Sequence, residues 1–173
     1  ASRLQRRLAA DAAPMQRLRL LNRFFFQVLG FSGNVNDYYD PRNSYVHAVL
    51  ETRPAIPITL ALLYVELATQ VGLDACGISF PGHFLAKVHM PQGEIVIDPF
   101  TGQSMSRDAL DALLLPYRRR SARSGLADAP LGAFLQPARP REVIARMLRN
   151  LKEVFRSSQD ATRLLGIAER LVI

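Results

Sequence analysis

Residues Ala75–Phe100 read ACGISFPGHFLAKVHMPQGEIVIDPF, and the reading of this stretch decides the fold. Ala75 to Phe80 has the composition of a short strand, Pro81-Gly82 marks a turn, and alternation resumes immediately afterwards. From His83 to His89, the residues His83, Leu85, Lys87 and His89 fall on one face and Phe84, Ala86 and Val88 on the other. Met90 to Gly93 make the next turn, and Glu94, Val96 and Asp98 then alternate with Ile95 and Ile97. A hairpin is therefore expected, and its register carries the functional question. If opposed positions sum to an odd number, with Leu85 facing Asp98, then His83 and Asp98 share a face as diagonal neighbours roughly 7–8 Å apart, within reach of an imidazole and a carboxylate. A shift of one residue would put them on opposite faces.

Upstream, Arg3 to about Ala13 has the pattern of an amphipathic helix that Pro14 interrupts or restarts. Met15, Leu18, Leu21, Phe25 and Val28 then recur at helical spacing, and Gly30 stands where a C-terminal cap belongs. Phe31 to Tyr45, FSGNVNDYYDPRNSY, has turn chemistry and four aromatics, which predicts an ordered loop lying on the core. Asp37 and Asp40 are read there as turn formers, with metal ligation the rarer alternative. Asn43 or Ser44 is the expected cap of a helix running to about Glu51, with Val46, Val49 and Leu50 inward. Pro57 suits the first turn of a further helix, IPITLALLYVELATQVG, that ends at Gly72 and has almost no polar face, so it is expected to be central and buried.

Downstream, Ser106 to Leu115 predicts a short helix capped by Ser106 and ended before Pro116. Tyr117 to Pro140 reads as a long surface connection. Val143, Ile144, Met147, Leu148 and Leu151 form one helical stripe. Leu164, Leu165, Ile167, Ala168 and Leu171 form another, with a turn and cap at Ser157–Asp160. This pair is tetratricopeptide-type in length and spacing; one such unit cannot bury both faces, which anticipates a chain continuing past Ile173. The expected division is a domain over 1–116, a connection over 117–140 and a helical hairpin over 141–173.

Composition narrows the function classes. A chain of 173 residues, 49% hydrophobic, can bury one sizeable core. No apolar run reaches the roughly 18 residues that span a bilayer, and the arginine-bearing N-terminal segment is followed by no apolar stretch; a cytoplasmic location and no membrane partner are expected. The single cysteine, Cys76, excludes an intramolecular disulfide framework. The formal charge of +7 rests on arginines spread over the termini and the Tyr117–Arg123 loop without interleaved aromatics, which argues against a nucleic-acid partner.

The segments GFSGNVNDYYDPRNSYVHAVLETR, IPITLALLYVELATQVGL, FPGHFLAKV and IDPF, within about Leu20 to Gly102, together resemble the bacterial SirB-type transglutaminase-like domain, usually joined to tetratricopeptide repeats. The resemblance implies an α+β, transglutaminase-like (papain-like) core with N-terminal helices, a central buried helix and a small antiparallel sheet, followed by the C-terminal helical hairpin. In the wider superfamily a Cys, His, Asp triad does the chemistry. His83 and Asp98 match its second and third members, while the cysteine position falls at Pro57, or within two residues at Ile58 or Thr59. The resemblance thus implies a triad without its nucleophile, as in the SirB-type subgroup.

Each candidate has a plainer reading beside it. A histidine satisfied by a core hydrogen bond is commoner than a catalytic one. Thr59 carries a hydroxyl close to the helix start, where threonine ordinarily serves local hydrogen bonding. Cys76 sits in a predicted strand, away from the helix N-terminus that would activate it, and is ordinarily a small buried hydrophobe. His47 and His89 have no second ligand at metal spacing, so neither metal nor cofactor is expected. The function expected is a pseudoenzyme: a non-catalytic domain whose His83/Asp98 cleft binds a protein or peptide. The alternative is an amidase, peptidase or acyl transferase using His83 and Asp98 with Thr59 or Cys76 as nucleophile.

Overall fold

The computed structural model describes residues 2–6, 11–120 and 128–171. Its centre is helix α4, Pro57–Gln70, placed after the short helix α1 (Ser2–Gln5), α2 (Pro14–Asn22) and α3 (Val46–Thr52) and the two-residue strands β1 (Ser32–Gly33) and β2 (Pro54–Ala55). Pro57 occupies the first turn of α4, where its missing N–H costs nothing, and Gly72 beyond its end takes φ +75°. Pro57, Ile58, Thr59, Leu60, Ala61, Tyr64 and Ala68 are buried, so α4 is held by packing rather than by a polar face.

Against α4 lies an antiparallel sheet in the order β3 (Asp74–Ile78), β4 (Leu85–Met90), β5 (Gly93–Asp98) and β6 (Gln103–Met105). Ala86, Val88 and Ile97 face the main core with Leu21, Phe25, Leu60 and Tyr64. Ile78, Leu85 and Val96 face a second core with Leu110, Leu114 and Leu131. Cover on both sides explains why Leu85, Ala86, Lys87 and Val88 are all buried in the central strand β4. The hairpin pairs Ala86 with Ile97, Lys87 with Val96 and Met90 with Gly93, which is the odd-sum alternative, the one that puts His83 and Asp98 on one face.

Helix α5 (Arg107–Arg120), the single turn α6 (Leu131–Phe134), α7 (Pro140–Ser157) and α8 (Ala161–Leu171) complete the fold. Ser106 Oγ accepts the Ala109 N–H as expected of its cap, but α5 passes through Pro116 instead of ending before it. The hydrogen bond lost at proline is offset by burial of Leu114 and by Arg118, which reaches back to Asp111 and donates to the Ala129 carbonyl. The expected surface connection after Tyr117 is more than a link. Among its described residues, Leu131 is buried, the Ala138 N–H donates to the Gly77 carbonyl, and Pro137 bridges to Ile78 at the β3 edge. Residues 121–127 of that connection and 7–10 of the first predicted helix lie outside the described residues, as does Ile173.

Other expectations need correction at the level of single elements. The second helix is α-helical only to Asn22 and continues as a π-helix, Arg23–Val28; Leu18, Leu21 and Phe25 of the expected stripe are buried, and Phe24 with them, whereas Met15 and Val28 are exposed. Neither Asn43 nor Ser44 caps α3, because both are buried in a 3-10 turn, Pro41–Ser44, and the capping position passes to Tyr45. Only Val49 of the expected inward trio is buried; Val46 and Leu50 are exposed. In the 31–45 loop Phe31 enters the core whereas Tyr38 and Tyr39 remain exposed. Asp40 acts as a turn former, accepting the Arg42 N–H and Nε–H, and the buried Asn43 amide donates to the carbonyls of Asp37 and Tyr38. In α7 the buried seam is Leu151, Val154 and Phe155, and Ile144 is exposed, as is Leu165 of α8. Asp160 Oδ1 caps α8 through the Arg163 N–H.

Candidate functional site

Strand β5 delivers Asp98 to the end of the sheet, and Pro99 ends the ladder there. The carboxylate then organises the turn that follows. Its Oδ1 accepts the Phe100 N–H at 2.9 Å, its Oδ2 accepts the Thr101 hydroxyl at 3.0 Å, and the Gly102 N–H donates to the Asp98 carbonyl at 2.8 Å. Gly102 has φ +77°, a conformation that suits glycine. On the neighbouring strand His83 stands just before β4, on the Pro81-Gly82 turn, where its N–H donates to the Phe80 carbonyl.

The register brings the two side chains together: His83 Nε2 lies 2.9 Å from Asp98 Oδ1. With Nε2 donating to the carboxylate, Nδ1 is the ring nitrogen left for another partner, and it has none among the described residues. Burial alone would push the Asp98 carboxyl up; the hydrogen bond from His83, its charge, and the Phe100 and Thr101 donors outweigh that and hold it below the ordinary carboxylate range.

The pair opens on a cavity of about 440 Å³ whose walls include Phe100, Met105, Leu113, Tyr117 and Arg120. These come from the turn after β5, from β6 and from α5; no residue of α4 lines it. Behind the His83 turn, Arg146 of α7 donates to Ser79 Oγ and to the same Phe80 carbonyl that accepts the His83 N–H, with its guanidinium over the Phe84 ring. Burial lowers the Arg146 pKa, yet guanidinium remains charged at any physiological pH.

The other named residues lie elsewhere. Helix α4 starts at Pro57, with Ile56 as its N-terminal cap, and Pro57, Ile58 and Thr59, the three candidates for the cysteine position, are all buried. Thr59 is fully buried, and its hydroxyl has no hydrogen-bond partner among the described residues. Cys76 is half-buried on β3 opposite Lys87; burial pushes its thiol up, against a smaller downward pull from the Lys87 ammonium, so its environment opposes the thiolate. Lys87 is itself buried, donating to Glu94 Oε1 at 2.9 Å and to the Leu135 carbonyl at 3.0 Å. His89 lies between Asp74 and Glu94 at the far end of the hairpin, and among the described residues no three side chains gather that could hold a metal. A helix start without cysteine, in a chain that keeps a His/Asp pair, is consistent with a non-catalytic domain, a pseudoenzyme.

Sequence reasoning missed Thr101, Phe100, Tyr117, Arg120 and Arg146. The first was readable: a threonine three residues after an aspartate, before a glycine, is a side-chain-capped turn. The others come from elements whose extent or docking no local pattern discloses.

Comparison with known proteins places this geometry in a family. The chain is 40% identical over 158 residues to a UPF0162 protein of Xylella fastidiosa, covering 90% of this chain and 55% of that protein. It is 32% identical over 143 residues to a UPF0162 protein of Pseudomonas aeruginosa, covering 83% of this chain and 50% of that one. It is also 42% identical over 72 residues to human F-box only protein 21, which amounts to 42% of this chain and 12% of the relative. The chain thus spans about half the length of these bacterial relatives. No solved structure matches it. The profile of the transglutaminase-like superfamily matches residues 1–149, and the chain belongs to that superfamily.

Proposed function

We propose that this domain is a SirB-type, non-catalytic member of its superfamily that binds a peptide or protein segment in the cavity beside His83 and Asp98. One observation carries the reading: the imidazole is held by Asp98 through Nε2, its Nδ1 has no nucleophile as partner among the described residues, and a mostly apolar cavity opens beside it. The division into a domain over 1–116, a connection over 117–140 and a tetratricopeptide-like hairpin over 141–173 goes with it, the hairpin serving as a second contact surface. A cytoplasmic setting fits the lone cysteine.

The test has two arms. Peptides selected by display on the wild-type protein are re-measured by calorimetry against wild type and His83→Ala, and loss of affinity in the variant is expected. Acyl transfer from a glutamine donor to a labelled amine is measured in parallel, and none is expected. Robust transfer that His83→Ala abolishes would overturn the reading.

The enzymatic alternative, an amidase, peptidase or acyl transferase with His83 as base and Asp98 as its orienting partner, draws on the unpartnered Thr59 hydroxyl at the start of α4. Covalent labelling by an electrophilic acyl probe that disappears in Thr59→Ala or Cys76→Ser would establish it; labelling unaffected by both substitutions removes both nucleophiles.

A further inference from the structure

A second cavity, about 470 Å³, lies on the other side of the Phe100–Thr101 turn, between that turn and the helix carrying Arg19, Asn22 and Arg23. Phe100 and Thr101 wall both it and the His83 cavity, so the two are neighbours across one turn. Its chemistry is one-sided. Arg19 and Arg23 are four residues apart, straddling the passage from α-helix to π-helix, and among the described residues no acidic one lines the space. Neither arginine forms an ion pair among the described residues. Arg118, Arg156 and Arg163, by contrast, each face an acid.

Asn22 adds a neutral donor. The buried Tyr64 hydroxyl donates to Asn22 Oδ1 at 2.5 Å. That bond fixes the amide orientation and leaves the Nδ2 hydrogens for the cavity. Phe26, Phe31 and Phe100 supply apolar walls beside the two exposed guanidinium groups, which can make charge-assisted hydrogen bonds.

We propose that the Arg19/Asn22/Arg23 cavity binds the carboxylate side chain of an acidic peptide whose adjoining residues cross the Phe100–Thr101 turn into the His83 cavity. This rests on reading the His83 cavity as a peptide site, and it names the partner's chemistry: a segment with a glutamate or aspartate a few residues from the part seated at His83. A peptide fits better than a nucleic acid because the basic groups here are two, gathered over phenylalanine walls, and form no stripe that would track a phosphate backbone. The protein's charge of +7 favours the encounter.

The test is fluorescence anisotropy with a labelled peptide of alternating glutamate and glycine, roughly eight residues long, at about 0.15 M ionic strength. Wild type is compared with Arg19→Ala/Arg23→Ala and with a charge-matched control, Arg107→Ala/Arg163→Ala, on other faces. Loss of two charge-assisted contacts should weaken binding about tenfold or more in the first double variant, against less than about twofold in the control. Arg19→Glu/Arg23→Glu should lose the glutamate peptide and bind its arginine-glycine counterpart. Equal weakening in both double variants, no weakening in the first, or tighter binding of a single-stranded RNA octamer that depends on the same two arginines would overturn the proposal. His83→Ala separates the two readings: unchanged anisotropy in that variant, with dependence on Arg19 and Arg23 intact, keeps the carboxylate site and removes the His83 cavity from it.

Discussion

The ring of Phe100 lies across the backbone of Gly33, so close that a methyl group added there would come within 2.6 Å of three ring carbons, and the Gly33 N–H donates to the Phe100 carbonyl at 3.0 Å. Glycine is required by this approach, because a carbon at that distance from the root of an aromatic ring cannot be relieved by rotation of the side chain. Gly33→Ala should destabilise the protein by about 1–3 kcal/mol, the usual cost of overpacking, and displace the residue that walls both cavities. Chemical denaturation checks the first effect, and loss of peptide binding in a still-folded variant checks the second.

Asp98 makes stability depend on acid. Its folded pKa is depressed, so its contribution is fully present above the unfolded value near pH 4 and is lost as pH falls through the folded value. Wild type should therefore lose stability in the acid range more steeply than Asp98→Asn, whose stability should be lower at neutral pH and flatter below about pH 4. Melting curves taken across that range decide it; parallel curves for the two proteins would show that the carboxylate is not the titrating group.

His83→Ala removes one of three donors from a carboxylate that keeps the Phe100 N–H and Thr101 hydroxyl. A loss of about 1–2 kcal/mol is expected, at the low end for hydrogen bonds to charged groups because Asp98 is not left bare. A much larger drop in melting temperature, with peptide affinity unchanged, would make the pair a fastener of the hairpin and nothing more.

Arg146 secures the His83 turn from behind. Arg146→Ala should cost about 1–2 kcal/mol through two lost hydrogen bonds and the stacking on Phe84. Arg146→Lys should not restore it, since an ammonium cannot stack on the ring and reach both Ser79 and Phe80. The imidazole resonances of His83 by NMR should shift in both variants; a stability loss without that shift would confine Arg146 to holding α7 in place.

Much of this could be read from the chain. Alternation on both arms of the hairpin showed that His83 and Asp98 meet only in an odd-sum register but left that register open, because both faces of the sheet are covered and a slip of one residue moves a side chain from one core to the other. Pro57, Gly72 and the apolar run between them identified α4 with both its ends. What escaped depends on distant contacts. The passage of α5 through Pro116 relies on Arg118 reaching Asp111 and Ala129, and the π-helix after Asn22 relies on seating both Phe24 and Phe25 in the core. The walls of the site escaped for the same reason: Tyr117 and Arg120 belong to the part of α5 beyond that proline.

The Phe80 carbonyl gives the C-terminal hairpin a mechanical connection to the imidazole. It accepts from the backbone of His83 on one side and from a guanidinium rooted in α7 on the other. The position of α7 and the geometry of the turn bearing His83 are thus tied through one shared oxygen.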